Sequence, residues 1–127
     1  NVHCNKVIIH DAARPFISNK IINQGLLYLN KFEAAVPYTN INDSIIETNL
    51  SINYLDRKKI KKIQTPQFFI YNKILNAYKD TENSFTDDLS LILDYDTTIS
   101  FKLFKGDENN FKITNLNDYE IAKKLLC

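Results

Sequence analysis

The sequence predicts an α/β domain, because apolar runs typical of buried strands alternate with amphipathic helical spacing. Residues 6 to 10 read KVIIH, a short continuous apolar run of the kind that forms strands buried on both faces. Residues 19 to 32 place apolar side chains on one helical face, and residues 33 to 38, EAAVPY, read as a second strand. A strand, a helix and a strand in this order predict a βαβ unit with a right-handed crossover.

Shorter patterns predict the elements after this unit. Residues 45 to 57 contain two β-prone pieces, SIIET and INYLD, separated by Asn and Ser, which predicts a hairpin or an arm outside the main sheet. Residues 64 to 69, QTPQFF, read as a buried segment, and the spacing from Tyr71 to Tyr78 predicts a short helix. Residues 98 to 104 alternate like a half-buried strand.

Side-chain chemistry predicts helix starts and the packing of the last helix. Ser18 is expected to cap the first helix. Thr86 is expected to cap a later one, with Asp87 and Asp88 in its first turn. A final helix is predicted at residues 116 to 126. Its apolar stripe is expected to pack through Leu116, Tyr119, Ala122, Leu125 and Leu126.

The composition is that of one soluble globular domain. The 127 residues carry a net charge of +1, with 44% hydrophobic and 24% charged residues. No apolar stretch approaches the ~20 residues of a membrane span, and near-zero charge gives no broad nucleic-acid footprint. We therefore expect no nucleic-acid or membrane partner. The basic run from Arg57 to Lys62 is either a solvated strand or arm, or a polyanion patch. Cys4 and Cys127 are expected to be reduced thiols.

Three scarcities in the composition bear on function. The chain has no Met, even at position 1, which predicts that it is part of a longer protein. Its only glycines are Gly25 and Gly106, so these residues contain no glycine-rich phosphate loop. With 14 Lys against two Arg, Arg14 and Arg57 are candidates for bidentate recognition of phosphate or carboxylate, or are surface residues retained by chance.

Polar clusters follow the predicted strands, where open α/β sheets bind their ligands. After the first strand, Asp11 could hold a metal or a hydroxyl and Arg14 could meet a phosphate; an Asx turn is the alternative. Thr65 could present its hydroxyl to phosphate or belong to a rigid turn, and Lys112 is either a ligand or a surface lysine. No nucleophile arrangement stands out, and His10 is expected to be a structural hydrogen-bonding group.

Five ordered motifs carry a family resemblance: IIHDAARPFIS, AAVPYTNINDSI, LDR followed by IQTPQFF, FTDDLSLI and GDENNFKIT. Their order and approximate spacing resemble the 2-C-methyl-D-erythritol 4-phosphate cytidylyltransferases of non-mevalonate isoprenoid synthesis, from about Lys6 to Leu126. The resemblance implies a Rossmann-like nucleotidyltransferase fold with a mostly parallel sheet and a protruding β-arm at about residues 43 to 60. It also implies a Mg²⁺ cofactor and transfer of CMP from CTP to the methylerythritol phosphate, with release of pyrophosphate.

The resemblance implies a role for each of several residues. Asp11 would bind the methylerythritol hydroxyls or lie near the metal, and Ala12 and Arg14 would line the nucleotide and substrate cleft. Arg57, on an arm that reaches into the neighbouring subunit of a homodimer, would hold the methylerythritol phosphate in trans. Lys112 would position the same phosphate for attack on the α-phosphorus, so Arg57 and Lys112 are the implied catalytic pair.

Three hydroxyl residues complete the implied substrate site. Thr65 would bind the methylerythritol phosphate. Ser44 stands where the family usually has Thr and keeps the hydroxyl, although three extra residues at 40 to 42 lie beside it. Thr86 would support the site from its helix cap.

The family's glycine-rich AAGxGxR loop and its downstream Lys, which grip the CTP triphosphate, have no match in this sequence. Residues 1 to 127 are therefore expected to be the C-terminal part of a single cytidylyltransferase domain, with the N-terminal part of the fold missing, and to be inactive alone. The alternatives are a ribitol-5-phosphate cytidylyltransferase and a non-catalytic dimerisation or binding module. The expected location is the cytoplasm, or a plastid-type organelle in a eukaryote.

Overall fold

The computed structural model describes residues 4–81 and 83–126, which form seven strands and four α-helices. In chain order these are β1 (Lys6–Ile9), α1 (Asn19–Tyr28), β2 (Ala34–Asn40), β3 (Ile45–Thr48), β4 (Ile52–Leu55), β5 (Lys61–Ile63), β6 (Gln67–Ile70), α2 (Tyr71–Asp80), α3 (Asp88–Tyr95), β7 (Phe101–Lys105) and α4 (Leu116–Leu126). A short 3₁₀ helix, Arg57–Lys59, lies between β4 and β5. Cys4 is a free thiol, as expected, and Cys127 lies outside the described residues.

The main sheet is mixed. β6 lies between β1 and β2 and is antiparallel to both, while β5 is antiparallel to the end of β2 and β7 is parallel to β2. The expectation of a mostly parallel sheet is therefore wrong for the described strands, since three of these four pairings are antiparallel. Apolar runs indicate that a strand is buried but not its direction, and residues 61 to 70 turn back against β2 instead of crossing over. β1, β2 and β7 nevertheless share one direction.

Helices cover both faces of this sheet. Successive side chains of a strand point to opposite faces, so the neighbours Phe68 and Phe69, both fully buried, enter different cores. Phe68 packs with Ile21 of α1, and Phe69 packs with Ile74 of α2 and Ile92 of α3. The result is a three-layer α/β/α arrangement whose buried apolar side chains supply most of the stabilisation.

Helix α1 approaches the sheet more closely than a side chain at its contact point would allow. A Cβ placed on Gly25 would lie 2.3 Å from ring atoms of the fully buried Phe68. Glycine in a helix interior normally costs about 0.5–1 kcal/mol relative to alanine, but here the missing Cβ makes room for the Phe68 ring. Close packing of α1 on β6 follows from this one residue.

The helix starts confirm one prediction and correct another. The Ser18 hydroxyl accepts from the Ile21 amide and caps α1, although this helix ends at Tyr28 instead of residue 32. α3 is capped by Asp87, not by Thr86: the Asp87 carboxylate accepts from the amide of Ser90, and the Ser90 hydroxyl accepts from the amide of Asp87. Such a capping box satisfies two backbone donors at once, and Thr86 lies outside it.

The last helix has the predicted bounds but not the predicted packing. Within the expected stripe Ala122 is buried, whereas Leu116, Tyr119, Leu125 and Leu126 are 49 to 82% exposed. No described strand or helix makes extensive contact with α4, so its apolar face has no counterpart among these residues.

Residues 45 to 55 form the predicted hairpin, a two-stranded sheet of β3 and β4 separate from the main one. Its apolar side chains include Ile52 and Tyr54, which are 70 and 80% exposed. Among the described helices, none has the length and apolar character that crossing a membrane requires.

A candidate phosphate-binding site at the sheet edge

The sheet pairing brings three segments to one edge. Ile9 at the end of β1 lies opposite Gln67 at the start of β6, because these strands are antiparallel. The segment that follows β1 and the segment that precedes β6 are therefore neighbours. The amide of Asp11, two residues after β1, donates to the hydroxyl of Thr65, two residues before β6, at 3.0 Å. β7 is parallel to β2, so the loop after β7 leaves from this edge as well.

Asp11 and Lys112 form an ion pair across this edge. The Lys112 Nζ lies 2.8 Å from Asp11 Oδ2, and the amide of Ile113 donates to the Ala13 carbonyl at 2.9 Å. The hydrogen bond from Lys112 holds the pKa of the Asp11 carboxyl below its usual value. Both side chains are partly exposed to solvent.

Arg14 is held beside this pair. One terminal nitrogen of its guanidinium donates to the Asn110 carbonyl at 2.8 Å, and its backbone amide closes a turn onto the Asp11 carbonyl at 2.9 Å. Burial lowers the pKa of Arg14, although the nearby Asp11 opposes that shift. Arg14 Nε is buried and has no hydrogen-bond partner among the described residues, so the guanidinium retains an unused donor.

His10 has the structural role expected of it. One ring nitrogen, Nε2, lies 2.9 Å from the Arg14 carbonyl, and Nδ1 lies 3.1 Å from the Thr65 hydroxyl. A carbonyl can only accept, so the neutral ring carries its hydrogen on Nε2 and the Thr65 hydroxyl donates to Nδ1. His10 thereby fixes the hydroxyl of Thr65 and the turn at Arg14 relative to each other.

Two buried amides that sequence reasoning did not single out support the site. Asn110 is fully buried, and its side-chain amide donates to the Thr65 carbonyl at 2.7 Å. Gln64 is 5% exposed, and its side-chain amide donates to the Asp107 carbonyl in the loop after β7. Buried polar side chains are normally hydrogen-bonded, which explains their contacts. The sequence signals were weak: Gln64 precedes a Thr-Pro pair, and Asn110 is one polar residue among several in GDENN.

A cavity of about 270 Å³ opens beside the cluster. Arg14, Lys62 and Lys112 contribute cations to its wall, and Thr39 contributes a hydroxyl. Glu108 opposes them with a carboxylate oxygen 3.9 Å from Lys62 Nζ. Three cations against one carboxylate suit an anionic ligand, and Lys62 and Thr39 are further lining residues that the motifs did not indicate.

Arg57 and Ser44 lie away from this cluster in the chain itself. The Arg57 guanidinium donates to the Asn42 carbonyl and lines a separate cavity of about 450 Å³ with Lys58 and Lys61. Ser44 is exposed just before β3. One chain does not bring Arg57 to Lys112, so the role of Arg57 in trans stays a prediction.

Thr86 and Ala12 make weaker connections. Thr86 is exposed and lines a cavity of about 430 Å³ at the start of α3. The link from there to the site runs through Gln67, which donates to Asp87 at 2.8 Å and accepts from the Leu89 amide at 2.9 Å. Ala12 is exposed between Asp11 and Ala13, where its small side chain leaves the loop open to a ligand.

The described residues do not fit a magnesium site. Among residues 4–81 and 83–126 no group of three His, Cys, Asp or Glu side chains could hold a metal. Asp11, the predicted ligand, already accepts from the Ala13 amide with Oδ1 and from Lys112 with Oδ2. A carboxylate neutralised by lysine is a poor ligand for a hard dication, so a magnesium requirement stays a prediction.

Cations and hydroxyls gathered at one edge of an α/β sheet are typical of α/β domains whose ligands are anionic. A family model described as 2-C-methyl-D-erythritol 4-phosphate cytidylyltransferase matches residues 2–127. The chain therefore belongs to the 2-C-methyl-D-erythritol 4-phosphate cytidylyltransferase family.

Known proteins similar to this chain agree with that assignment. A Clostridium beijerinckii protein named for the same cytidylyltransferase is 38% identical over 125 residues, and a Bifunctional enzyme IspD/IspF of Wolbachia sp. subsp. Brugia malayi is 35% identical over 124. The alignments cover 92 and 94% of this chain.

Two solved structures have a fold similar to that of this chain. The crystal structure of a 4-diphosphocytidyl-2C-methyl-D-erythritol synthase from Anaerococcus prevotii superposes with a TM-score of 0.87 at 28% identity over 96% of this chain. The cytidylyltransferase of Thermus thermophilus superposes at 0.85, with 26% identity over 96%. The Rossmann-like α/β prediction is confirmed. The chain spans 54 and 30% of the two sequence relatives and 58 and 62% of the two structures.

Proposed function

We propose that this chain supplies the acceptor-binding part of an enzyme that transfers CMP from CTP to 2-C-methyl-D-erythritol 4-phosphate. The observation that carries the proposal is the cluster in which Lys112, Asp11 and Thr65 meet at the edge of the sheet beside Arg14. The relatives named for this reaction support the choice of substrate.

The cluster has the chemistry that the transfer needs. A phosphate oxygen of the acceptor attacks the α-phosphorus of CTP, a phosphoanhydride bond forms, and pyrophosphate leaves with the electrons of the broken bond. Lys112 and Arg14 offset the negative charge of the attacking phosphate and hold it in place, and phosphoryl-type transfer requires little more than such positioning. Asp11 can accept hydrogen bonds from the hydroxyls of the acceptor.

Titration calorimetry on the 127-residue chain tests this assignment. We expect 2-C-methyl-D-erythritol 4-phosphate to bind and the dephosphorylated polyol not to bind, because the cations recognise the phosphate. Ribitol 5-phosphate serves as the competing acceptor and should bind more weakly. Equal binding of the two phosphate esters would favour the ribitol enzyme, and no binding of either would contradict the proposal.

The chain alone is expected to release no pyrophosphate from CTP, because it contains no glycine-rich loop for the triphosphate. A coupled pyrophosphate assay with CTP, Mg²⁺ and the methylerythritol phosphate measures this directly. Turnover by these residues would show that another segment of the chain grips CTP. Binding of neither CTP nor the acceptor would instead favour a non-catalytic module.

The proposal includes a homodimer formed through the hairpin of β3 and β4. Ile46, Leu50, Ile52 and Tyr54 expose 45 to 107% of their surface there, which a partner could bury. Arg57 follows the hairpin and would reach the partner's phosphate site. Sedimentation velocity should show a dimer that becomes a monomer in a Tyr54→Lys variant. Because CTP is an intracellular nucleotide, the proposal also places the protein in the cytoplasm, or in a plastid-type organelle of a eukaryote.

A further inference from the structure

We propose that Gln64 and Asn110, here called the amide pair, are positioning residues for phosphate binding. They fix Arg14 and Thr65 relative to the loop that carries Lys112. The ligand in this proposal rests on the proposed function, whereas the positioning itself can be measured without any ligand.

Asn110 joins two of the segments directly. Its side-chain amide donates to the Thr65 carbonyl at 2.7 Å, and its backbone carbonyl accepts from the Arg14 guanidinium at 2.8 Å. The orientation of the side-chain amide follows from the first bond, because a carbonyl requires a donor. Asn110 is fully buried, so its side of both bonds is shielded from water, where a hydrogen bond is electrostatically stronger than in solvent.

Gln64 fixes the same loop from the other side. Its Nε2 donates to the carbonyls of Asp107 and Asn110 at 2.8 and 3.2 Å, and its Oε1 accepts from the Asp107 amide at 3.2 Å. Gly106 makes this approach possible, since a Cβ there would lie 2.2 Å from Gln64 Oε1. The backbone of the loop is thus held at both Asp107 and Asn110.

Neutral amides suit this place better than charged groups would. The Gln64 amide donates and accepts at once, whereas the Asn110 amide donates through Nδ2 and its Oδ1 has no hydrogen-bond partner among the described residues. Both amides bond backbone atoms without adding charge beside Arg14 and Lys112. An unpaired buried donor or acceptor costs about 1–3 kcal/mol, which penalises any shift of the loop that breaks these contacts. The amide pair therefore transmits the position of Thr65 and Arg14 to Lys112, two residues beyond Asn110.

The test compares Asn110→Ala with Asn109→Ala, the same change at the exposed neighbour. The chain has only two arginines, so the arginine Nε–H region of its ¹H–¹⁵N spectrum holds two signals, and Arg57→Lys assigns them. The buried Arg14 Nε–H should exchange slowly in the wild type. In Asn110→Ala we expect about 10-fold faster exchange and about 10-fold weaker binding of 2-C-methyl-D-erythritol 4-phosphate, from the loss of one buried hydrogen bond.

Asn109→Ala should leave both quantities within twofold of the wild type. Unchanged Arg14 exchange and unchanged phosphate affinity in Asn110→Ala would overturn the proposal, and so would an equal loss in Asn109→Ala. If Asn110→Ala does not fold, Gln64→Met keeps the side-chain length, removes the bonds to Asp107 and Asn110 and should give the same two changes. Loss of folding in both variants would show that the pair is structural only.

The same measurements distinguish failure of the proposed function from failure of the positioning role. If the wild-type chain binds no methylerythritol phosphate, that function is contradicted, while the exchange rate of Arg14 still decides whether the amide pair positions it. Faster exchange in Asn110→Ala without any ligand effect would confirm the positioning and reassign the ligand.

Discussion

The ion pair between Asp11 and Lys112 is the central contact of the site, and its two ends come from loops about a hundred residues apart. Neither group is deeply buried, so the pair can separate when a phosphate competes for Lys112. Asp11 would then be free to accept from the hydroxyls of an acceptor. On the proposed function, binding of the acceptor phosphate replaces this contact.

Replacing Lys112 by Met should raise the pKa of Asp11 toward its ordinary value of 3.8, because the hydrogen bond from Lys112 is the main cause of its lowering. The same variant should bind the methylerythritol phosphate about 10- to 100-fold more weakly, as expected for a lost charged hydrogen bond. A ¹³C titration of the Asp11 carboxyl and calorimetry measure the two effects. Lys112→Arg is the control that keeps the charge, and an unchanged Asp11 titration in Lys112→Met would contradict the assignment.

At this scale the sequence predicted the charged and hydroxyl residues but not their supports. Asp11 and Thr65 could be foreseen because each lies near a strand end, and Lys112 because it lies in the polar loop after the last strand, where ligands bind in α/β sheets. Asn110 could not, since an amide in a polar loop reads as solvent-exposed until the Thr65 carbonyl is known to face it. Burial of a polar side chain depends on contacts distant in sequence, and the local pattern does not contain them.

Helix α3 shows how a single cap connects an element to the site. Asp87 caps the helix and also accepts from Gln67, the residue paired with Ile9 at the sheet edge. At the start of the same helix, burial and the hydrogen bond from the Tyr78 hydroxyl to Asp88 raise the pKa of Tyr78 to about 12. The cap therefore stabilises the helix and the start of β6 together.

Asp87→Ala should lower the free energy of unfolding by about 2 kcal/mol, since it removes a helix cap and leaves the buried Gln67 donor unpaired. Thr86→Ala should change it by less than about 0.5 kcal/mol, as for an ordinary exposed position. Urea unfolding of both variants measures the difference, and Asp87→Asn tests whether a neutral cap suffices. A larger loss in Thr86→Ala than in Asp87→Ala would restore Thr86 as the cap.

Element existence was largely predictable, whereas strand direction and helix packing were not. The final helix has the predicted bounds because its apolar spacing is strong, yet Leu116 and Leu126 are exposed because spacing does not say what a face packs against. Residues 86 to 88 read TDD, and each of these three side chains can cap a helix. Asp87 is the cap because its carboxylate accepts from Ser90 and from Gln67, and the local sequence does not reveal these contacts. β5 begins within the basic run that the sequence leaves open as a solvated strand or arm, because three residues with two lysines give no clear strand signal of their own.

For the whole molecule, acid should be destabilising. The pKa values of Asp11, Glu33, Asp96 and Asp118 are all lowered in the folded chain, mainly by hydrogen bonds from Lys112, Lys73, Thr98 and Thr114 respectively. The unfolded chain then binds more protons, so the stability that these groups provide is present above their ordinary values of 3.8 and 4.5 and is lost as the pH falls through the lowered ones.

Urea unfolding between about pH 2 and pH 7 should show this loss below about pH 4.5. In Glu33→Gln the free energy of unfolding should fall less at low pH than in the wild type, because Glu33 accepts from Ser100 at 3.0 Å and pairs with Lys73 at 2.8 Å. Glu47→Gln, on the exposed hairpin, removes a carboxylate outside this network and serves as the control. Stability that increases on acidification would contradict the direction of the four shifts.

Two hydrogen bonds close most of the described chain into one large loop. One runs from the Ile113 amide to the Ala13 carbonyl, and the other from the Arg14 guanidinium to the Asn110 carbonyl, 96 positions further along the chain. A ligand bound between the two ends of that loop stabilises its closed form, because the binding free energy opposes every opening that separates the ends. Hydrogen exchange in β1 and β7 would then slow together when the site fills. Binding of an anion at this one site would therefore slow local opening throughout the main sheet.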